Sequence, residues 1–262
     1  MHFTTFRGGR VAYRLDGVGR TVVLVHGTGG DSEGNWGEIA PALSKNYQVL
    51  RPDYSGSGQT KDDGRALTVE FLSDQVLAAV DDAGIASFAV VGFSLGAAIA
   101  ARIAADHPDR VSDLVLIAGF LQTDSRLKLQ FELWRDLIET DRKAMARLIL
   151  LTGFSPDALS SWGIDGVSQA AGDIVDTQDW QGMARQVALD LSLDVSDTIE
   201  KIEARTLVIG NTYDHMVAPS HSRKLAAALQ DSAYAELPSG HLVPMERPDL
   251  VSDLISRFLA GP

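Results

Sequence analysis

Between Ala83 and Ala101 the chain carries 19 consecutive residues without a formal charge, and whatever it folds into must bury that run or pass it through a membrane. At about 1.5 Å per residue, one helix of that length would cross most of a bilayer's hydrocarbon core. The composition of the run argues otherwise. Gly84, Ser87, Gly92, Ser94 and Gly96 interrupt it, and its character changes from β-type Phe88-Ala89-Val90-Val91 to helix-type Ala97-Ala98-Ile99-Ala100-Ala101. A buried strand, a tight turn and a buried helix account for both halves.

The rest of the chain repeats this alternation. Phe3, Phe6, Val11 and Tyr13 around a Gly8-Gly9 turn read as a hairpin. Apolar β-rich runs follow at Thr21 to Val25, Tyr47 to Arg51, Phe88 to Val91, Leu114 to Ala118, Thr206 to Gly210 and Ala233 to Leu237. Helical patterns at Ile39 to Leu43, Val69 to Val80, Ala97 to Ala105, Ser222 to Leu229 and Leu250 to Leu259 separate most of them. Near-continuous apolar strands alternating with helices predict an α/β fold, with a mostly parallel eight-stranded sheet covered by helices on both faces. The rhythm breaks once, after the sixth strand. From Phe120 to about Asp197 no strand pattern occurs, and helices punctuated by Gly153, Pro156, Gly163, Gly166, Gly172 and Gly182 are expected. The expected organisation is a core of residues 1–119 and 198–262 with a helical insertion at 120–197.

Composition removes several chemistries. The absence of cysteine excludes disulfides, thiolate metal sites and a cysteine nucleophile. With 23 Lys and Arg against 35 Asp and Glu, a formal net charge of −12 and no basic run, nucleic acid is not an expected partner. The first twenty residues have no apolar segment of the kind a secretory signal carries, so the cytoplasm is the expected compartment and no membrane partner is expected. No dinucleotide fingerprint, phosphate loop or His-Glu-x-x-His pattern occurs, which leaves no sequence case for a cofactor or metal.

What remains is nucleophilic chemistry. Gly92-Phe93-Ser94-Leu95-Gly96 fits G-x-S-x-G directly between a predicted strand and a predicted helix, where a strained turn would present the serine hydroxyl above the sheet. Serine needs a base, and His241 lies on the loop between the last strand and the last helix. The base needs a carboxylate, and Asp214 follows the strand ending at Gly210, with Asp124 in reserve. Backbone N–H groups of Leu95, next to the nucleophile, and of Thr28, in the loop His26-Gly27-Thr28-Gly29-Gly30, are the candidate oxyanion donors.

With its chain order Ser94, Asp214, His241, the sequence resembles the α/β-hydrolase superfamily over nearly its whole length. Asp53-Tyr54-Ser55-Gly56-Ser57-Gly58 is similar to that family's D-x-x-G-x-G turn, and Gly240-His241 with Glu246-Arg247-Pro248 to its C-terminal signature. Thr60 and Ala97 are mild departures. The resemblance implies a serine hydrolase acting on an ester, lactone or related acyl bond, and an insertion that caps the active site. Leu127, Phe131, Trp134 and Ile138, spaced 4, 3 and 4 apart, form one apolar helix face. Trp134, Trp162, Trp180 and Met183 are the candidate pocket residues for a small, hydrophobic acyl substrate. Carbon–carbon bond hydrolysis, a lyase or cyclase step, and ligand binding without turnover remain alternatives, and the sequence carries no indication of oligomeric state.

Overall fold

The computed structural model describes residues 1–261. Strands β1 (His2–Phe6) and β2 (Gly9–Asp16) form the opening hairpin, with Phe6 opposite Gly9. The turn is at Arg7-Gly8, both at positive φ, one residue before the expected place. Gly9 serves another need: a Cβ there would lie 2.5 Å from the Lys61 carbonyl. Strands β3 (Thr21–Val25), β4 (Gln48–Asp53), β5 (Phe88–Phe93), β6 (Val111–Ile117), β7 (Arg205–Asn211) and β8 (Ser232–Leu237) complete an eight-stranded sheet in the order β1-β2-β4-β3-β5-β6-β7-β8. All pairs from β4 across to β8 are parallel. Strand β6 begins three residues before the expected Leu114 because the charge of Asp113 is taken up inside the structure by Arg20 and Arg205.

Helices cover both faces. Val23, Val25, Val90, Leu114 and Leu116 pack toward α2 (Val69–Asp82) and α3 (Leu95–Asp106), while their neighbours Val22, Leu24, Val91, Val115 and Ile117 pack toward α1 (Ala40–Leu43) and the C-terminal helix (Pro248–Ala260). That is the period-two alternation of strands buried on both sides. Within the uncharged run Phe88–Phe93 form β5 and Leu95 onward forms α3, while Ala83 to Ser87 connect α2 to β5, and among the described residues no helix is long and apolar enough to cross a membrane. The chain leaves β3 toward β4 on one side and returns to β5 on the other. The loops after β3 and β5 therefore diverge at the carboxyl edge of the sheet and open a crevice there.

Between β6 and β7 lie four α-helices, α4 (Ser125–Thr140), α5 (Arg142–Gly153), α6 (Pro156–Thr177) and α7 (Trp180–Asp190), and a short 3-10 helix at Ile199–Lys201. Gly153 and Pro156 mark the α5–α6 boundary and Gly163 breaks α6, as the sequence suggests, whereas the other three glycines mark no boundary. Gly166 and Gly172 lie inside α6 and Gly182 inside α7. The starts are set by Asp124, Asp141, Ser155 and Asp179, each of which accepts a backbone N–H of the first turn through its side chain. Gly163, with φ of 68°, bends α6. Leu127, Phe131, Trp134 and Ile138 form the buried face of α4, as their spacing predicts. The two arms of the insertion are tied where they meet the core, with Val195 N–H donating to the Leu121 carbonyl at 2.8 Å and Thr123 N–H to that of Leu193 at 2.9 Å.

Candidate active site

Ser94 sits between β5 and α3 at φ 54° and ψ −119°, a conformation that costs an L-residue roughly 1–3 kcal/mol. The flanking glycines let neighbouring backbone approach closely enough to hold it. A Cβ on Gly92 would lie 2.1 Å from the Gly96 carbonyl oxygen, and one on Gly96 would lie 2.3 Å from that of Val25. The Ser94 N–H donates to Ile117 of β6 at 2.9 Å, which fixes the turn to the sheet.

The structure brings the three widely separated residues into one chain. Ser94 Oγ is 3.0 Å from His241 Nε2, and His241 Nδ1 is 2.8 Å from Asp214 Oδ2. Asp214 and His241 are buried. Asp214 Oδ1 accepts the N–H groups of Met216 at 2.9 Å and Val217 at 2.7 Å, so the carboxylate is held from behind. Because a carboxylate only accepts, Nδ1 carries the proton, and Nε2 is left with its lone pair toward the serine hydroxyl. Asp124 does not take part. It caps α4 and lies 3.3 Å from His221 Nε2, away from His241. His26 is equally remote in role, stacked on Tyr54 with its Nδ1 bonded to the Gly27 carbonyl, and burial pushes its pKa down.

The loop after β3 can be accounted for one N–H at a time. Gly27 donates to Asn35 Oδ1 at 2.9 Å, Gly29 to Gln186 Oε1 at 2.7 Å and Gly30 to the Gly27 carbonyl at 3.1 Å. Thr28 N–H has no partner among the described residues. Leu95 N–H, at the first position of α3, is one of the donors a helix start leaves free. Sequence reasoning missed Gln186 and Asp190. The signal was present: Met183, Gln186, Val187 and Asp190 follow one another at helical spacing, which puts two polar side chains into an apolar stripe.

A cavity of about 640 Å³ opens over Ser94 and His241. Thr28 and Phe93 line its floor, and Phe131, Trp134, Phe154, Trp162, Ile174 and Met183 supply apolar wall from the insertion. Trp180, expected in the pocket, does not line the cavity. Its indole N–H donates to the Val175 carbonyl at 3.1 Å and its ring lies under the Arg142 guanidinium, so it packs α7 within the insertion. Asp31, Asp173 and Asp179 also line the cavity, while no Lys or Arg does so among the described residues.

The sequence profile described as alpha/beta hydrolase fold matches residues 20–248. A pyrrolizixenacetamide deacetylase from Xenorhabdus hominickii is 51% identical over 251 residues, covering 95% of this chain and 94% of that protein. The crystal structure of the enol-lactonase from Burkholderia xenovorans LB400 superposes with a TM-score of 0.88 at 26% identity, covering 99% of this chain and 100% of that one. An alpha/beta hydrolase enzyme from a Medee basin deep-sea metagenome library shares the fold, with a TM-score of 0.92 at 22% identity over 100% of this chain and 98% of that one.

Proposed function

The chain belongs to the alpha/beta hydrolase fold family, and from that premise we propose that it is a serine hydrolase that removes a small acyl group, acetyl foremost, from an uncharged amide or ester. The observation that carries this reading is the hydrogen-bonded chain Ser94–His241–Asp214 at the floor of the cavity. Ser94 Oγ attacks the acyl carbonyl while His241 Nε2 takes its proton, and Asp214 stabilises the imidazolium so formed. The tetrahedral oxyanion accepts the N–H groups of Thr28 and Leu95; losing one such donor typically costs about 2.7–4 kcal/mol of transition-state stabilisation. His241 returns the proton to the departing amine or alcohol. Water, deprotonated by the same imidazole, then releases the acid and regenerates Ser94.

Two features support the substrate class. The 51% identical relative is named as a deacetylase of an acetamide, which favours an amide over the ester or lactone that the sequence motifs alone suggest. The cavity wall is apolar with carboxylates and without Lys or Arg, which suits a neutral substrate and repels the carboxylate product.

The test is hydrolysis of p-nitrophenyl acetate and p-nitroacetanilide by the wild type and by Ser94→Ala. The alanine variant should lose activity by about 10³-fold or more. Full activity in that variant would overturn the assignment, and turnover of a diketone without labelling of Ser94 by a fluorophosphonate would point to carbon–carbon cleavage instead.

A further inference from the structure

The loop that carries Thr28 is gripped by the insertion and packs against the turn that carries the nucleophile, where a Cβ on Gly27 would lie 3.1 Å from that of Ser94. Gln186 of α7 is fully buried; its Oε1 accepts the Gly29 N–H at 2.7 Å, and its Nε2 donates to Ser57 Oγ at 2.8 Å and to the Ser55 carbonyl at 3.2 Å. One turn later Asp190, also buried, accepts the Thr28 hydroxyl at 2.7 Å through Oδ2. Just ahead of α7, Gln178 Nε2 donates to the Gly29 carbonyl at 3.0 Å. The helix has little room to drift, because a Cβ on Gly182 would lie 2.1 Å from the Gly56 carbonyl. Packing alone does not explain these side chains. A buried carboxyl whose second oxygen has no partner is costly, and burial pushes the Asp190 pKa up to about 7. An apolar residue of similar size would pack the same position at lower cost.

We propose that Gln186 and Asp190 are positioning residues for the reaction: α7 of the insertion sets loop 27–30 so that the Thr28 N–H faces the developing oxyanion, and the oxyanion hole is complete only while the insertion is seated on the core. The proposal rests on the acyl-transfer reading and adds the insertion to its machinery. Oxyanion donors act by being fixed in advance, and a displacement of about 1 Å can cost about 10²-fold in rate. Gln186 and Asp190 contact neither substrate nor reacting atoms; they act through the loop.

The experiment compares wild type, Gln186→Leu, Thr28→Val and Ser94→Ala on p-nitrophenyl acetate, and measures binding of a trifluoromethyl ketone, whose hemiketal with Ser94 places an oxyanion in the hole. Thr28→Val keeps the backbone N–H and removes only the hydroxyl held by Asp190. Both positioning variants should lose about tenfold or more in kcat with KM within about twofold, and should bind the ketone more weakly by a similar factor. Thr28 is only partly buried, so that variant carries the test if Gln186→Leu does not melt cooperatively. Unchanged kcat and ketone binding in Thr28→Val, or a loss confined to KM, would overturn the proposal. Turnover that survives in Ser94→Ala would instead overturn the acyl-transfer reading on which it rests.

Discussion

The uncharged run from Ala83 to Ala101 and the helix α6 are of similar length, and from Phe88 onward the run has the opposite fate to α6. Every residue of β5 is buried, and so are ten of the twelve residues of α3; α6, with 22 residues, has no fully buried residue. Yet both border the same cavity, the first through Phe93 and Ser94 and the second through Trp162, Ala170, Asp173, Ile174 and Thr177. The chemical groups are placed by backbone that cannot move without disturbing the sheet. The wall proposed to meet the substrate is placed by an element with no fully buried residue.

The sharpest way to break that contrast is to make one substitution in both places. Gly96→Ala puts a Cβ within 2.3 Å of the Val25 carbonyl and 2.4 Å of that of His26, with backbone on both sides and no flexible side chain to yield. We expect a loss of about 4 kcal/mol or more, at the extreme of single substitutions. Gly172→Ala, in α6, meets nothing within 4 Å and replaces a poor helix former by a good one, so it should stabilise by about 0.4–1 kcal/mol. Thermal unfolding of the two variants decides the matter. Shifts of the same sign would mean that elbow and insertion are equally tolerant and that the contrast is only one of exposure.

Asp190 lies on the seam between the regions, and its effect should be the next largest. Its folded pKa is raised by burial to about 7, against about 3.9 for an unfolded aspartate. Between those values the folded chain holds a proton that the unfolded chain has released, so this group's contribution to stability is fully present below about pH 4 and is lost as pH rises through about 7. Asp190→Asn removes the dependence. The midpoint of the variant relative to wild type should therefore climb steadily from pH 4.5 to pH 7.5, by an amount on the order of a few kcal/mol in stability. A difference that stays constant over that range would show that Asp190 is ionised throughout.

The same division governs what could be read in the sequence. The elbow was legible because its constraints are local: Gly92, Ser94 and Gly96 lie within five residues, and the strand and helix on either side declare themselves by composition. Asp214 and His241 were legible because each falls on a loop after a predicted strand, and a parallel sheet gathers such loops on one edge. Gln186 and Asp190 were not, because their meaning lies in contacts with Gly29 and Thr28, 157 and 162 residues away in the chain. Trp180 was misplaced for a related reason. Its aromatic character fits a cavity wall, yet its contacts with Val175 and Arg142 turn it into the insertion. Gly153, Pro156 and Gly163 do mark breaks, but Gly166, Gly172 and Gly182 do not, because capping side chains decide where these helices begin and Gly182 answers to a backbone contact with Gly56.

The smallest effect expected is the one that most refines the contrast. Trp162 is 39% exposed, lines the cavity and meets Phe154 edge to face with ring centroids 4.7 Å apart. An acetyl group occupies little of a cavity of about 640 Å³, so the apolar wall should matter to larger acyl groups. Trp162→Ala should raise KM for a p-nitrophenyl ester with a long acyl chain by about tenfold, equivalent to about 1.4 kcal/mol of lost binding. Its thermal midpoint should move by less than about 2 °C, because a half-exposed side chain on a helix with no fully buried residue holds little of the fold together. The two readouts separate the roles. A fall in midpoint without a change in selectivity would make α6 a structural element, and the difference between the regions would then lie in packing density and not in task.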